Sequence, residues 1–205
     1  MTSISPVTCG FAGYNPASEG ENGGPLVGSW GDLASFVATL SDEDRARFSR
    51  YAAVDLPGEH EDIFRTLRDY AEGNPATTAS GLLATTGAQA GMARDLSFAR
   101  LVGAAALEFA GTPDDRQLAH VCLAQVHFRN RREEADLLAF EEHCRAAIDL
   151  GHTGTFCYER LAALYEYRGD REEATRVCRR AVETLEAAGD ARSAERFRRR
   201  LGRLG

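Results

Sequence analysis

The feature that most constrains this sequence is a pair of apolar-periodic segments separated by one glycine, in the stretch LAALYEYRGDREEATRVCRRAVE at residues 161–183. Apolar residues recur at helical spacing on both sides of Gly169, alanines stand where large residues are expected, and charged residues fill most other positions. A short helical hairpin of this kind cannot bury its apolar face alone. The stretch therefore predicts a structure in which several helical hairpins stack against one another.

An earlier copy of the same pattern supports this interpretation. The segment REEA at 132–135 returns at 171–174, and CRAAID at 144–149 returns as CRRAVE at 178–183. Self-similarity at a spacing of 34 to 39 residues is typical of proteins that stack helix pairs into a continuous core. The first helices match at four positions, since His120, Leu123, Ala124 and His127 recur as Tyr158, Leu161, Ala162 and Tyr165 after 38 residues.

The later copy has large and small side chains at regular places, with Gly169 in the turn. Close helix crossings require such alanines, while the tyrosines fill the gaps beside them. This pattern resembles the tetratricopeptide repeat (TPR), a 34-residue helix-turn-helix unit, although Cys178 stands where that family usually has an aromatic residue. The matching residues are Tyr158, Leu161, Ala162, Tyr165, Ala174 and Ala181.

The earlier copy departs from the TPR pattern in its second helix. Eight residues separate Ala135 from Cys144, whereas three separate Ala174 from Cys178. Five additional helical residues rotate the apolar face by about 140°. Either this helix is longer and locally kinked, or the earlier repeat is only TPR-like.

Composition divides the chain into three regions. Residues 1–31 contain seven glycines and three prolines, which predicts a flexible tail. Residues 32–75 contain three helical patterns and form an N-terminal helical segment. Residues 76–205 carry the repeats and a capping helix, and the small residues at 76–93 favour a thin helix over a linker. No segment has the sustained alternation of a strand, so the predicted fold is all-α.

The TPR resemblance makes this prediction more specific. It implies a right-handed stack of antiparallel helical hairpins, a TPR-like α-solenoid, with a short N-terminal helical subdomain and a C-terminal capping helix.

The chain has five cysteines, an odd number without a CxxC pair, which indicates reduced thiols. No basic n-region and no apolar run of about 20 residues is present, so we expect a soluble cytoplasmic protein without membrane contact.

Histidines and cysteines raise the question of a metal or catalytic site, because imidazole and thiolate are the usual zinc ligands. The repeat register aligns His120 and His127 with Tyr158 and Tyr165, positions that pack, so we expect neither a metal, a cofactor nor catalysis. A Cys–His nucleophile pair has no accompanying oxyanion-hole motif. The residues considered were His120, Cys122, His127, His143, Cys144, His152 and Cys157.

The leading functional hypothesis is a non-enzymatic adaptor that binds a peptide or a partner protein on the concave surface of the stack. The TPR resemblance places six residues of one first helix on this surface. They do not resemble the clamp of chaperone-binding TPRs, which uses lysines, because the chain contains no lysine. The predicted binding residues are Phe156, Glu159, Arg160, Ala163, Glu166 and Tyr167.

The alternative hypothesis uses the arginine-rich C-terminal helix to bind an anionic ligand or a nucleic acid. Guanidinium groups grip phosphates and carboxylates, but a net charge of −7 argues against general polyanion binding. The same helix has the polar outer face of a terminal cap, which is the favoured interpretation. The alternative contact residues are Arg192, Arg196, Arg199, Arg200 and Arg203.

Overall fold

The computed structural model describes residues 28–57 and 60–205, and its regular secondary structure in these ranges is entirely α-helical. The all-α prediction is therefore confirmed for the described residues. The predicted tail lies outside them up to residue 27. The helices are α1 Trp30–Thr39, α2 Asp42–Ala52, α3 His60–Gly73, α4 Ala79–Met92, α5 Leu96–Glu108, α6 Pro113–Arg129, α7 Glu134–Asp149, α8 Phe156–Arg168, α9 Arg171–Ala187 and α10 Ala191–Leu204.

Helix α1 begins two residues before the predicted start at Asp32, and a capping box explains where it begins. The Ser29 hydroxyl accepts a hydrogen bond from the Asp32 amide at 3.1 Å, and the Asp32 carboxylate accepts one from the Ser29 amide at 2.8 Å. The Trp30 ring then packs against Tyr70, with centroids 6.0 Å apart. Residues 28–31 thus belong to the folded body and not to the predicted tail.

The small residues at 76–93 form helix α4, which packs closely against α5 and α6. A Cβ atom added to Gly87 would lie 3.0 Å from the Cys122 sulfur. One added to Gly103 on α5 would lie 2.8 Å from Leu123. Because neither position has room for a side chain, these glycines allow the three helices to approach one another.

Helix α6 joins two hydrophobic cores. Cys122 and Val126 belong to an N-terminal core that also contains residues of α1 to α5. Ala124, on another face of α6, belongs to a C-terminal core with residues of α7 to α10. Successive helices from α6 to α10 are in contact with one another. The central helix therefore fixes the C-terminal hairpins against the N-terminal half.

In the α8–α9 hairpin the small residues of the repeat pattern are completely buried. Ala162 and Ala174 are both inaccessible, and Tyr165 beside them is 2% exposed. Gly169 ends α8 with a φ of 77°, a left-handed conformation that glycine adopts at little cost. Asp170 then caps α9 by accepting a hydrogen bond from the Glu173 amide at 3.0 Å.

The two REEA segments do not occupy equivalent positions, so that part of the sequence alignment was wrong. Ala174 is buried in the core, whereas Ala135 is exposed in the first turn of α7. Counting back from the buried Cys144 and Cys178 instead makes Phe140 the counterpart of Ala174. Helix α7 begins ten residues before Cys144, whereas α9 begins seven residues before Cys178, so α7 is the longer helix on this side of the aligned cysteine. Ala135 therefore lies in an additional N-terminal turn of α7, where it is exposed to solvent.

Candidate functional site

A groove of about 430 Å³ lies between α8 and α10, and we call it the arginine groove. It brings together residues from both functional hypotheses, which the sequence had assigned to separate surfaces. Three come from the predicted concave face and four from the arginine-rich helix. The lining residues are Glu159, Arg160, Ala163, Arg196, Phe197, Arg199, Arg200 and Arg203.

The apolar residues of α10 explain why its arginines point into this groove. Ala194 is inaccessible and Phe197 is 2% exposed, because both pack into the C-terminal core. The Phe197 ring meets the buried Tyr158 ring edge-on, with centroids 6.1 Å apart. With one face of α10 fixed in this way, the neighbouring arginines extend along the surface toward α8.

Two glutamates of α8 hold two of these arginines in place. Arg200 donates from Nε to the Glu166 carboxylate at 2.6 Å and from Nη1 to the Glu159 carbonyl oxygen at 3.3 Å. Arg196 forms an ion pair with the Glu159 carboxylate. The hydrogen bond with Glu166 raises the pKa of the Arg200 guanidinium above its ordinary value. These pairs fix α10 against α8 and leave other arginines of the groove available.

A second depression, of about 690 Å³, adjoins the arginine groove at Arg160, and we call it the basic pocket. It lies where the α4–α5 connection, the end of α6 and the start of α8 meet. Sequence reasoning had singled out only Phe156 and Arg160 from this region. Its lining residues are Arg94, Leu96, Gln125, Phe128, Arg129, Asn130, Arg131, Phe156 and Arg160.

Phe128 organises the basic pocket. The guanidinium carbons of Arg131 and Arg160 lie 4.6 and 5.1 Å from its ring centroid. Phe140 and Phe156 pack around the same ring at centroid distances of 5.1 and 5.9 Å. Cation–π contacts of this kind hold guanidinium groups in defined positions. The run RNRR at 129–132, directly after a helical pattern, was the sequence signal that could have indicated this cluster.

Three predicted contact residues lie outside both depressions as far as the structure describes their linings. Tyr167 is 90% exposed and continues the stripe of Arg160 and Ala163 by one helical turn. Arg192 is exposed in the first turn of α10. The remaining predicted residue, Glu166, lies beside the arginine groove, where it binds Arg200.

Three of the considered histidines form a cluster between α6 and α7. The Nδ1 atoms of His120 and His143 are 3.0 Å apart, and the His127 ring stacks on His143 with centroids 5.6 Å apart. Burial, followed by the charges of His120 and His127, lowers the pKa of His143 to about 4. No group of three or more ligating side chains in the described ranges is arranged to hold a metal ion.

Beside this cluster, Asp136 connects three helical elements. Its carboxylate accepts hydrogen bonds from Arg100 of α5 at 2.7 and 2.8 Å, from His127 of α6 at 2.6 Å, and from the Asn130 amide. Burial raises the pKa of Asp136, but the hydrogen bonds from His127 and Asn130 and the charge of Arg100 outweigh it and leave the pKa below its ordinary value. The network is structural, because its acceptor is fully engaged by donors of the chain itself.

The four cysteines of the described residues lie inside the protein. Cys122, Cys144, Cys157 and Cys178 are all buried. Burial raises the pKa of Cys122 to about 12 and that of Cys178 to about 11. Thiols with such high pKa values carry almost no thiolate at neutral pH.

Comparison with protein-family models, with curated proteins and with solved structures gives no match to this chain. The resemblance to the TPR family therefore stays a prediction that rests on the residues of the repeats. Within residues 28–57 and 60–205, no helix has both the length and the apolar composition needed to cross a membrane.

Proposed function

We propose that this chain is a cytoplasmic, non-enzymatic interaction module with TPR-like stacked hairpins, and that its arginine groove binds an acidic segment of a partner protein. The composition of the groove carries this proposal. Five of its eight lining residues are arginines and one is a glutamate, in a chain whose net charge is −7. Such a local reversal of charge favours association with a negatively charged partner.

The state of the individual arginines supports an acidic occupant. Arg160 and Arg203 form no ion pair with any described residue, and Arg199 reaches the Glu195 carboxylate only at 3.9 Å. A carboxylate can accept two parallel hydrogen bonds from one guanidinium, which gives both affinity and orientation. Ala163 adds a small exposed side chain between these arginines, so the backbone of an extended segment can approach α8 closely.

The aromatic rings inside the two depressions favour a peptide over a nucleic acid. Single-stranded nucleic acids gain much of their affinity by stacking bases on exposed aromatic rings. The aromatic ring that lines the arginine groove, Phe197, is 2% exposed and packs into the core. Phe128 in the adjoining pocket has the guanidinium groups of Arg131 and Arg160 over its ring. Phe197 and Phe128 therefore offer no free face to a base, and the exposed ring of Tyr167 lies outside the described linings of both depressions.

Selection from a random peptide display library tests the proposal, because it does not require that the partner be identified. We expect peptides selected by the wild-type chain to be enriched in Asp and Glu. The double variant Arg199→Gln, Arg203→Gln should lose this enrichment, because it removes two guanidiniums from the groove. The matched control Arg171→Gln, Arg179→Gln changes the net charge equally on the exposed face of α9 and should retain it.

Either of two results would contradict the proposal. One is a selected population without acidic enrichment, or with the same enrichment for the groove variant and the wild type. The other is binding of a single-stranded oligonucleotide at least tenfold tighter than the best peptide, with a steep loss of affinity as salt rises. That second result would favour the nucleic-acid hypothesis.

A further inference from the structure

The two depressions that meet at Arg160 differ in their carboxylates. The arginine groove contains Glu159, which neutralises part of its charge. The basic pocket is lined by four arginines, the amide side chains of Gln125 and Asn130, and apolar residues, with no carboxylate among its described lining residues. Its polar side chains are therefore dominated by hydrogen-bond donors that face an open volume.

The four guanidiniums of the basic pocket also lack carboxylate partners elsewhere in the described part of the chain. Other arginines nearby are paired, as Arg100 is with Asp136 at 2.7 Å and Arg145 with Glu141 at 3.0 Å. The chain has 31 acidic and 24 basic residues, so acidic residues are in excess. Several uncompensated positive charges on one surface repel one another, and a bound anion relieves that repulsion. The unpaired residues are Arg94, Arg129, Arg131 and Arg160.

The backbone of Arg94 gives an independent indication. Arg94 has a φ of 65° at the end of α4, and the Asp95 amide closes the turn by donating to the Ala90 carbonyl oxygen at 3.0 Å. Glycine is the usual residue in this conformation. This chain uses Gly151, Gly169 and Gly189, each with positive φ, just after α7, α8 and α9. An arginine in a conformation unfavourable for an L-residue points to a function for its side chain.

We propose that the basic pocket binds a phosphate monoester on a side chain of the acidic segment, so that the partner is a phosphorylated protein. This inference rests on the proposed function, since the arginine groove holds the segment that carries the phosphate. A phosphate dianion has three acceptor oxygens and suits several guanidiniums and amides at once. The volume of about 690 Å³ is sufficient for a phosphorylated side chain.

Preorganisation supports the same occupant. Arg131 and Arg160 contact the Phe128 ring, and Arg131 also donates to the Phe128 carbonyl oxygen at 3.3 Å. Side chains that are already ordered lose less conformational entropy when a ligand binds. Arg160 belongs to both depressions, so it would contact the phosphate together with the neighbouring acidic residues of one segment.

Three oriented peptide libraries test this inference, with phosphoserine, glutamate or serine fixed at the central position. We expect the wild-type chain to bind the phosphoserine library at least tenfold more tightly than the serine library, and more tightly than the glutamate library. The variant Arg94→Gly should lose most of the phosphoserine preference. Its thermal stability should be unchanged or higher, because glycine fits the left-handed backbone.

Two further variants separate the loss of the Arg94 side chain from the change in its backbone. Ala53→Gly places glycine at the other non-glycine residue with positive φ in the described chain, 54°, and should change stability in the same direction without affecting the phosphoserine preference. Arg131→Gln removes a second guanidinium of the pocket from an unstrained position and should also reduce the preference.

The outcomes separate this inference from the proposed function. Acidic enrichment without any preference for phosphoserine would overturn the phosphate site and leave the arginine groove as the binding surface. A phosphoserine preference that survives both Arg94→Gly and Arg131→Gln would place the phosphate elsewhere and overturn the inference. An oligonucleotide whose affinity falls in these variants, while phosphopeptide affinity does not, would assign the pocket to nucleic-acid phosphates instead.

Discussion

The α6–α7 and α8–α9 hairpins have related sequences but are held together by different chemistry. In α8–α9, the rings of Tyr158 and Tyr165 are almost completely buried among alanines and other apolar residues, and the Tyr165 hydroxyl donates to the Glu141 carboxylate of α7 at 2.8 Å. In α6–α7, the aligned His120 and His127 belong to a polar cluster with His143. The repeat pattern therefore determines where a side chain lies, while the residue type determines whether that position is apolar or titratable. The α6–α7 hairpin consequently contains a cluster of titratable histidines, whereas the aligned tyrosines of α8 place only one hydroxyl, that of Tyr165, on a carboxylate, Glu141 of α7.

The largest expected difference between the hairpins concerns Asp136 and Asp170, which stand at equivalent distances before Cys144 and Cys178. Replacing Asp136 with alanine leaves Arg100 and His127 without their acceptor and should lower the free energy of unfolding by about 3–5 kcal/mol. Asp170→Ala removes only an exposed helix cap and should cost about 1 kcal/mol. Urea unfolding measures both values. Equal losses would show that the two hairpins are not held differently.

The second difference is a pH dependence that arises in the histidine cluster of α6–α7 and has no counterpart at the aligned tyrosines of α8. The pKa of His143 falls from 6.5 to about 4 in the folded state, so folding favours its neutral form. The stabilisation is complete above pH 6.5 and is lost as the pH falls toward 4, by roughly 3 kcal/mol in total. The charged groups that face the histidine cluster are Arg100, Asp136 and Glu142.

Unfolding of the wild type and of His143→Gln at several pH values checks this prediction. The variant should lose less stability than the wild type between pH 6.5 and 4, because glutamine does not titrate. His152→Gln measures how much of the loss in acid arises outside the cluster, because burial also lowers the pKa of His152. Identical pH profiles for the wild type and His143→Gln would contradict the interpretation.

A smaller difference tests the corrected repeat register. Ala174→Leu should overpack the α8–α9 core and cost about 1–3 kcal/mol, because Ala174 is inaccessible. Ala135→Leu, at the position that sequence alignment had paired with it, should change stability by no more than about 0.5 kcal/mol because it is exposed. Thermal melting of both variants provides the measurement. Similar destabilisation would restore the original alignment of the REEA segments.

The sequence predicted the helices well because helical periodicity is a local signal. Periodicity indicated α8 and α9, and the small residues at 76–93 correctly favoured α4. The REEA match was misleading, because identity of four residues does not record the additional N-terminal turn of α7. Helix α1 was predicted to begin at Asp32, since the capping role of Ser29 depends on side-chain geometry.

The candidate site was harder to predict because its parts are distant in the sequence. Arg94, Arg129 and Arg160 come from three different helical regions and meet only through the packing of α4, α5, α6 and α8. The sequence also suggested two alternative binding sites, one on α8 and the other at the arginines of α10. The burial of Ala194 and Phe197 brings them to one groove, and no local pattern encodes that relation.

The most direct test of the central claim is the affinity of the best selected acidic peptide for two single variants, measured by fluorescence anisotropy at one salt concentration. Arg160 lines both depressions, whereas Arg179 lies on the exposed face of α9, and neither forms an ion pair with a described residue. Each substitution by glutamine removes one charge from an exposed side chain. We predict that Arg160→Gln raises the dissociation constant about tenfold, as expected for an arginine at the centre of an interface. Arg179→Gln should leave it unchanged, and equal affinities of both variants would contradict the account.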